Sequence, residues 1–252
     1  VSATELVRIA AADGFSGIML PPFPQATPGE IVGFRELLRA NGIRRVVLDG
    51  VMGALPRCAF AAGHGWTADQ HFAIAEQFDV DCFNVPHYRG DPATSVAEFA
   101  DALGPFCERA AGAGITVALE FLPGTGIPDL ERALRIVETV GAPNLGITLD
   151  TWHWARSGAT LADIGALPAG TIKDFQLSDR GANQGDLPDS EQWGRLLPGE
   201  GALPLGEIIR AVLANAPELT VNAEIFSQQL HRREPRDAAR AIAEALDRVL
   251  PV

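Results

Sequence analysis

The strongest constraint on this 252-residue chain is an alternation. Short runs rich in apolar and β-branched residues occur at 15–20, 44–50, 81–87, 116–123, 145–153, 171–179 and 220–226. Between and around them lie stretches with helical periodicity at 2–13, 28–41, 68–78, 95–113, 128–140, 161–166, 204–216 and 235–249. Apolar runs of this length, bounded by turn residues, read as strands buried on both faces, and strict exchange of strand and helix implies parallel β/α units. Several helices open on recognisable caps. Thr27-Pro28-Gly29-Glu30, Thr67 with Gln70, and Ser95 with Glu98 each fit a capping box, the first with proline at the first helical position.

Eight helices stand against seven strands, the chain opens on a helix, and its first residue is Val1. The reading that satisfies all three is an α/β fold of the (β/α)8 TIM barrel type whose first strand is missing from the given chain, with residues 1–252 a single domain. Such barrels typically need about 250 residues. An open doubly wound sheet is the rival architecture. Its dinucleotide fingerprint is lacking, because the one glycine-rich strand exit, Gly124-Thr125-Gly126, has no third glycine and no helix start.

Composition narrows the partners. With 47% hydrophobic residues the chain can bury a large aliphatic core, and a formal charge of −12 argues against nucleic acid. The only basic cluster, residues 231–236, suits a solvated helix start. Cys58, Cys82 and Cys107 are odd in number, far apart and set among apolar residues, so they read as reduced core thiols in a cytoplasmic protein. No apolar run approaches the roughly 18 residues of a membrane span, and the N-terminus lacks a signal-peptide layout. A small molecule is the expected partner, and a homo-oligomer is compatible with the chain.

Four strands carry an oxygen-bearing side chain at or near their C-terminal ends: Glu120, Asp150, Gln176 and Glu224. In a barrel these ends share one face. A polar residue closing a strand ordinarily makes a cap or loop contact, yet four on successive late strands form a pattern. Three carboxylates brought together repel one another, and no lysine or arginine recurs at these strand ends. A divalent cation would resolve the conflict.

These residues resemble the xylose isomerase-like TIM-barrel superfamily of sugar phosphate isomerases and epimerases. The resemblance spans essentially the whole chain. It rests on Ala12-Asp13-Gly14-Phe15-Ser16-Gly17-Ile18, the Glu120 strand, Asp150-Thr151-Trp152-His153 as a D-x-x-H motif, Gln176-Leu177-Ser178-Asp179 at the H-x-x-D position, and Glu224. It implies that Glu120, Asp150, Gln176 and Glu224 hold one divalent metal, with His153 beside the substrate. Where most members have histidine this chain has Gln176, which resembles the 3-dehydroshikimate dehydratases. An oxygen-only shell favours Mn²⁺ or Mg²⁺ over Co²⁺ or Zn²⁺.

The implied function is a metal-dependent isomerase or epimerase of a sugar or cyclitol-like ketone, acting by proton abstraction beside a polarised carbonyl through an enediolate. Glu120, Glu224 and His153 are the candidate catalytic residues, the two glutamates as an acid–base pair on opposite faces of the substrate. One alternative is a dehydratase (lyase) of the 3-dehydroshikimate type, acting on a keto-acid; another is a non-catalytic small-molecule-binding barrel. An endonuclease like endonuclease IV would need three zincs, many histidines and a basic face, and this chain has five histidines.

His153, His87, Trp66 and Arg180 are the candidate substrate contacts, with His64 weaker. Trp66, Trp152 and Trp193 are candidates for an apolar wall, and core packing accounts for them as readily. Arg180, Arg195 and Arg89 are placed to meet a substrate carboxylate, although exposed arginines are common. Gly199-Glu200-Gly201 reads as a glycine turn, since Glu200 would repel an anion.

Overall fold

The computed structural model describes residues 1–182 and 194–250. Seven strands, β1 (Gly17–Leu20), β2 (Arg45–Asp49), β3 (Cys82–Pro86), β4 (Thr116–Glu120), β5 (Leu145–Asp150), β6 (Ile172–Leu177) and β7 (Val221–Ala223), pair in parallel and in sequence order. They curve into a nearly closed (β/α)8-type barrel. Around it run α1 (Ala3–Ala12), α2 (Pro28–Val32), α3 (Phe34–Ala40), α4 (Ala59–Gly63), α5 (Ala68–Phe78) and α6 (Val96–Gly112). The circuit continues with α7 (Leu130–Val140), α8 (Thr151–Ser157), α9 (Leu161–Gly165), α10 (Leu205–Asn215), α11 (Gln228–His231) and α12 (Pro235–Val249).

The central strands, such as β3 and β5, are buried on both faces as their apolar runs imply, whereas β1 and β7 beside the gap alternate between buried and half-buried residues. Outward side chains such as Leu48, Phe83 and Phe175 join the main core with the helices. Inside the barrel, Met19, Val47, Cys82 and Ala118 form a separate apolar plug. Two residues further along each strand the period of two brings Asp49, Asn84 and Glu120 to the interior above that plug, and Thr148, Asp174 and Asn222 face it from the other strands. The interior thus turns from apolar to polar towards the C-terminal ends. All three cysteines are free and buried.

Between β1 and β7 no hydrogen-bonded pairing closes the sheet. A cavity of about 380 Å³ lies there, lined by Phe15, Met19 and Val221 and by the inner faces of α1 and α12. No described segment fills the gap where the sequence reading puts a further strand. Among the described residues no helix is long and apolar enough to cross a membrane.

The three capping boxes form as read, with Thr27, Thr67 and Ser95 each accepting from the third helical residue. The structure adds α4 and α11, ends the last strand at Ala223, and changes two further readings. The single helix expected at 28–41 breaks at Gly33, which ends α2 and precedes α3, because glycine in a helix interior has the highest backbone entropy to lose. The strand expected over 145–153 stops at Asp150, whose carboxylate accepts from the Trp152 backbone N–H and starts α8 instead.

One buried histidine lies outside the polar interior. His71 of α5 packs beside Phe23 and Trp66, at ring distances of 5.6 and 6.2 Å, and neither ring nitrogen has a hydrogen-bond partner among the described residues. Burial pushes it from 6.5 down to about 4. The unfolded chain therefore takes up a proton that the folded chain refuses, and stability is lost as pH falls from 6.5 towards 4. We expect His71→Phe to be near neutral at pH 7.5 and to flatten that decline, read by urea denaturation across this range; an unchanged slope would show that His71 is not held neutral.

Candidate active site

The site is assembled from strand ends and one loop. Asp150 closes β5 and caps α8, so its Oδ1 is held by the Trp152 N–H at 2.7 Å and its Oδ2 turns inward. His153, three residues on, shares that face of α8; its Nε2 lies 3.6 Å from Asp150 Oδ2 and 3.5 Å from Glu120 Oε1. Glu120 ends β4, and its other oxygen, Oε2, accepts from Asn84 Nδ2 at 2.8 Å. The possible ligand atoms of Glu120, Asp150 and His153 all lie within 4.8 Å of one another, and all three residues are buried.

Glu224 follows β7, with its N–H still on Leu177 O, so the ladder continues far enough to aim its side chain into the same space. Gln176 of β6 is in register with Asp150 on one side and Asn222 on the other. It is fully buried, and neither its Oε1 nor its Nε2 has a hydrogen-bond partner among the described residues. A buried amide left unengaged costs about 1–3 kcal/mol per group, which makes Gln176 a candidate to engage a bound ligand.

The structure corrects one premise of the sequence reading: a protein cation does reach these carboxylates. Arg195, fully buried, places Nη1 2.8 Å from Asp150 Oδ2 and 2.8 Å from Glu224 Oε2, and 3.1 Å from the Glu224 carbonyl; Nη2 is 3.4 Å from His153 Nε2. It comes from the loop between β6 and α10 and not from a strand end. Isolated bridges, Asp179 with Leu196 and Gly194 with Ser227, fix its backbone. Asp179 anchors the same loop with both oxygens, accepting from the N–H groups of Arg180, Gly199, Gly201 and Leu203. Glycine is required at 201, where a Cβ would meet Asp179 Oδ1 at 2.2 Å. The Gly199 turn read from the sequence is thus the clasp of this loop.

Burial raises Glu120 and Glu224 well above the usual carboxylate range, with the charges of Asp49 and Asp150 adding to the rise. Burial would also raise Asp150, but Arg195 and His153 outweigh it and hold that carboxyl low. Burial brings His153 down to about 4, against the pull of Asp150. The site therefore combines one firm carboxylate, two reluctant ones and a neutral imidazole. That combination can bind a cation, hold a substrate oxygen and move a proton.

Of the remaining candidates, His87, Trp66 and Arg89 make their contacts outside this cluster. His87 is held by backbone groups on both ring nitrogens, Gly126 N–H donating to Nδ1 and Nε2 facing Pro56 O at 3.0 Å, with Gly90 and Gly126 against its ring. Trp66 belongs to an aromatic cluster with Phe23, Phe60 and His64, and Arg89 lies over Phe60 and Tyr88. Trp152 is buried beneath the guanidinium groups of Arg180 and Arg195, 5.9 and 5.6 Å from its ring. Trp193 lies outside the described residues.

Two participants escaped the sequence reading. Asp49 closes β2 as Glu120 closes β4, and burial raises it to about 6 even though Asn84 donates to it. The strand-end rule applied to β2 would have found it. Asn84 is neutral and mid-strand, and nothing in its spacing singles it out.

Known proteins share this arrangement at the level of family and fold. The family described as xylose isomerase-like TIM barrel matches residues 7–249. An inosose isomerase of Halalkalibacterium halodurans is 27% identical over 128 residues, 50% of this chain and 44% of that protein. A 3-dehydroshikimate dehydratase of Pseudomonas aeruginosa is 27% identical over 165 residues, 64% of this chain and 26% of that protein. The chain thus spans less than half the length of these two curated relatives. A crystal structure of IOLI protein with a bound zinc atom superposes with a TM-score of 0.82 at 18% identity, over 99% of this chain and 93% of that one, a likeness of fold.

Removing the guanidinium would leave Asp150 and Glu224 facing each other unpaired. We expect Arg195→Ala, in chelator-treated protein at pH 7, to lose about 3–5 kcal/mol of unfolding free energy in urea. A change within about 0.5 kcal/mol, the range of an ordinary surface substitution, would show that Arg195 does not neutralise the cluster.

Proposed function

Because the chain belongs to the xylose isomerase-like TIM barrel family, we propose that it is a divalent-metal-dependent isomerase or epimerase of a sugar or cyclitol-like ketone. The observation that carries this reading is the convergence of Glu120, Asp150 and His153 within 4.8 Å, with Glu224 tied to Asp150 through Arg195 and the Gln176 amide unengaged beside them. The donor chemistry fits a hard cation: three carboxylates and an amide oxygen suit Mn²⁺ or Mg²⁺. Glu120, Asp150, Gln176 and Glu224 would hold it, and it would supply Lewis acidity that makes the C–H beside a ketone acidic.

The chain's own groups then divide the work. Glu224, just after β7, takes the proton from carbon, and Glu120 on β4 serves as its counterpart on the other face; burial raises the proton affinity of both carboxyls. His153, neutral at pH 7, hydrogen-bonds the reacting oxygen without repelling a cation. Burial of Glu120, Asp150, His153, Gln176 and Arg195 limits water around these groups and strengthens their contacts. Return of the proton to the neighbouring carbon gives an isomer, and return to the opposite face gives an epimer.

A second reading is favoured by Arg195 and Gln176. A buried guanidinium at the site could pair with a substrate carboxylate, and expulsion of a β-hydroxyl after the same proton abstraction would make the protein a dehydratase of the 3-dehydroshikimate type.

A deuterium-exchange screen tests both. Protein loaded with Mn²⁺ or Mg²⁺ is incubated in D₂O with ketoses, inososes and 3-dehydroshikimate and followed by NMR, with a conjugated enone reporting dehydration. At least one substrate should incorporate deuterium. Glu224→Gln should slow exchange by at least about 10²-fold while keeping the metal, whereas Asp150→Ala should lose the metal. Full exchange in Glu224→Gln would move the base elsewhere, and no exchange in the metal-loaded wild type with any of these compounds would overturn the reading.

A further inference from the structure

Beneath the candidate ligands one neutral side chain connects four strands. Asn84 of β3 is fully buried, and its Nδ2 donates to Asp49 Oδ1 of β2 at 2.7 Å and to Glu120 Oε2 of β4 at 2.8 Å. Its Oδ1 accepts from the hydroxyl of Thr148 on β5 at 2.6 Å. A primary amide has two hydrogens to give on one side and lone pairs to offer on the other, and this arrangement uses both sides. Turned over, the amide would aim its oxygen at two carboxylates. Thr148, also fully buried, holds it the right way round.

The consequence falls on Glu120. The last torsion of a glutamate is broad and nearly two-fold, so a free carboxylate could offer either oxygen, or both. With Oε2 engaged by Asn84, only Oε1 is left to face His153 and Asp150. We propose that Asn84, oriented by Thr148, is a positioning residue that restricts Glu120 to presenting the single oxygen Oε1 to the site. This rests on the metal-dependent reading above, and it says how that site stays open. A small hard cation has about six positions. Four residues giving one oxygen each would leave room for oxygens of a bound molecule, whereas a Glu120 that offered both oxygens would take up part of that room.

The test uses the intact chain, Mn²⁺ as the probe, and the variants Asn84→Ala, Thr148→Val, Thr148→Ser and the Asn84→Ala/Thr148→Val double. Calorimetric Mn²⁺ affinity should fall about 10–100-fold in Asn84→Ala, as for other groups that orient a metal ligand. Thr148→Val should fall in the same direction by less, and Thr148→Ser, which keeps the hydroxyl, should match wild type. The double variant should be no worse than Asn84→Ala, because Thr148 acts only through the amide. A purely structural role predicts instead lower urea midpoints with unchanged Mn²⁺ affinity, or losses that add in the double variant, and either result overturns the proposal. If the wild type binds no Mn²⁺, the metal-dependent reading fails on its own, and a crystal structure of Asn84→Ala still decides this one: the Glu120 carboxylate should leave its present orientation, and an unchanged single orientation would refute the assignment. Should Asn84→Ala not fold, the Thr148 pair carries both measurements.

Discussion

The C-terminal end of this barrel depends on how Glu120, Asp150 and Glu224 are held together in a space with almost no water. Buried carboxylates repel one another and resist ionisation, so each needs a partner of opposite charge, a hydrogen-bond donor or a proton. The chain supplies all three in different measure. Asp150 has the backbone N–H of Trp152 and the Arg195 guanidinium, Glu224 has Arg195, and Glu120 has the Asn84 amide. The order of proton affinities follows from that: Asp150 is held low while Glu120 and Glu224 are driven up. A site with graded carboxyl groups can have one that stays charged and others that exchange protons.

Arg195 can do this because the described residues around it are tied down by backbone hydrogen bonds. Asp179 draws four backbone N–H groups onto one carboxylate, and bridges on either side of Arg195 tie the chain to Asp179 and to Ser227 beyond β7. The guanidinium also lies 5.1 Å from the Phe226 ring and 5.6 Å from that of Trp152, so its faces are covered by aromatic carbon while its edge meets oxygen. Planar, forked and always charged, arginine suits such a position where lysine would not. The β6 strand end therefore supports the site through Asp179, which anchors the backbone near Arg195, and carries Gln176, the ligand proposed above.

Much of this was legible in the sequence, for reasons that differ by element. The barrel was legible because burial on both faces forces near-continuous apolar runs, and because helical caps are written in two or three residues, as at Thr27, Thr67 and Ser95. Glu120, Asp150 and Glu224 stood out as acids at the ends of such runs. Helix α8 was hidden, because Trp152 and Trp154 have the bulk of strand residues and only the capping geometry of Asp150 decides between the two. Arg195 was named only as one of three arginines that could meet a substrate carboxylate, and its pairing with Asp150 and Glu224 was hidden, because a loop has no periodicity to predict where its side chains go. Asn84 is the hardest case, since a neutral amide in a strand carries neither charge nor pattern, and its meaning exists only in the distances to Asp49, Glu120 and Thr148.

Gln176 links the energetics of the fold to the proposed chemistry. A glutamine in a fully buried position ordinarily satisfies its amide, and here neither end does so among the described residues. Asp174, two residues earlier on the same strand, is similarly strained: burial raises it to about 7, and only one of its oxygens is engaged, by Asn222. β6 thus carries polar groups whose desolvation lowers stability, in a strand that packing alone would fill with apolar side chains. A histidine at 176 would bring a group that titrates near neutral pH and softer nitrogen ligation. Glutamine brings neither, and its uncharged oxygen leaves the cation's charge to be balanced by the acids around it. As the fourth ligand proposed above, Gln176 would add no negative charge to a cluster in which Arg195 already draws on Asp150 and Glu224.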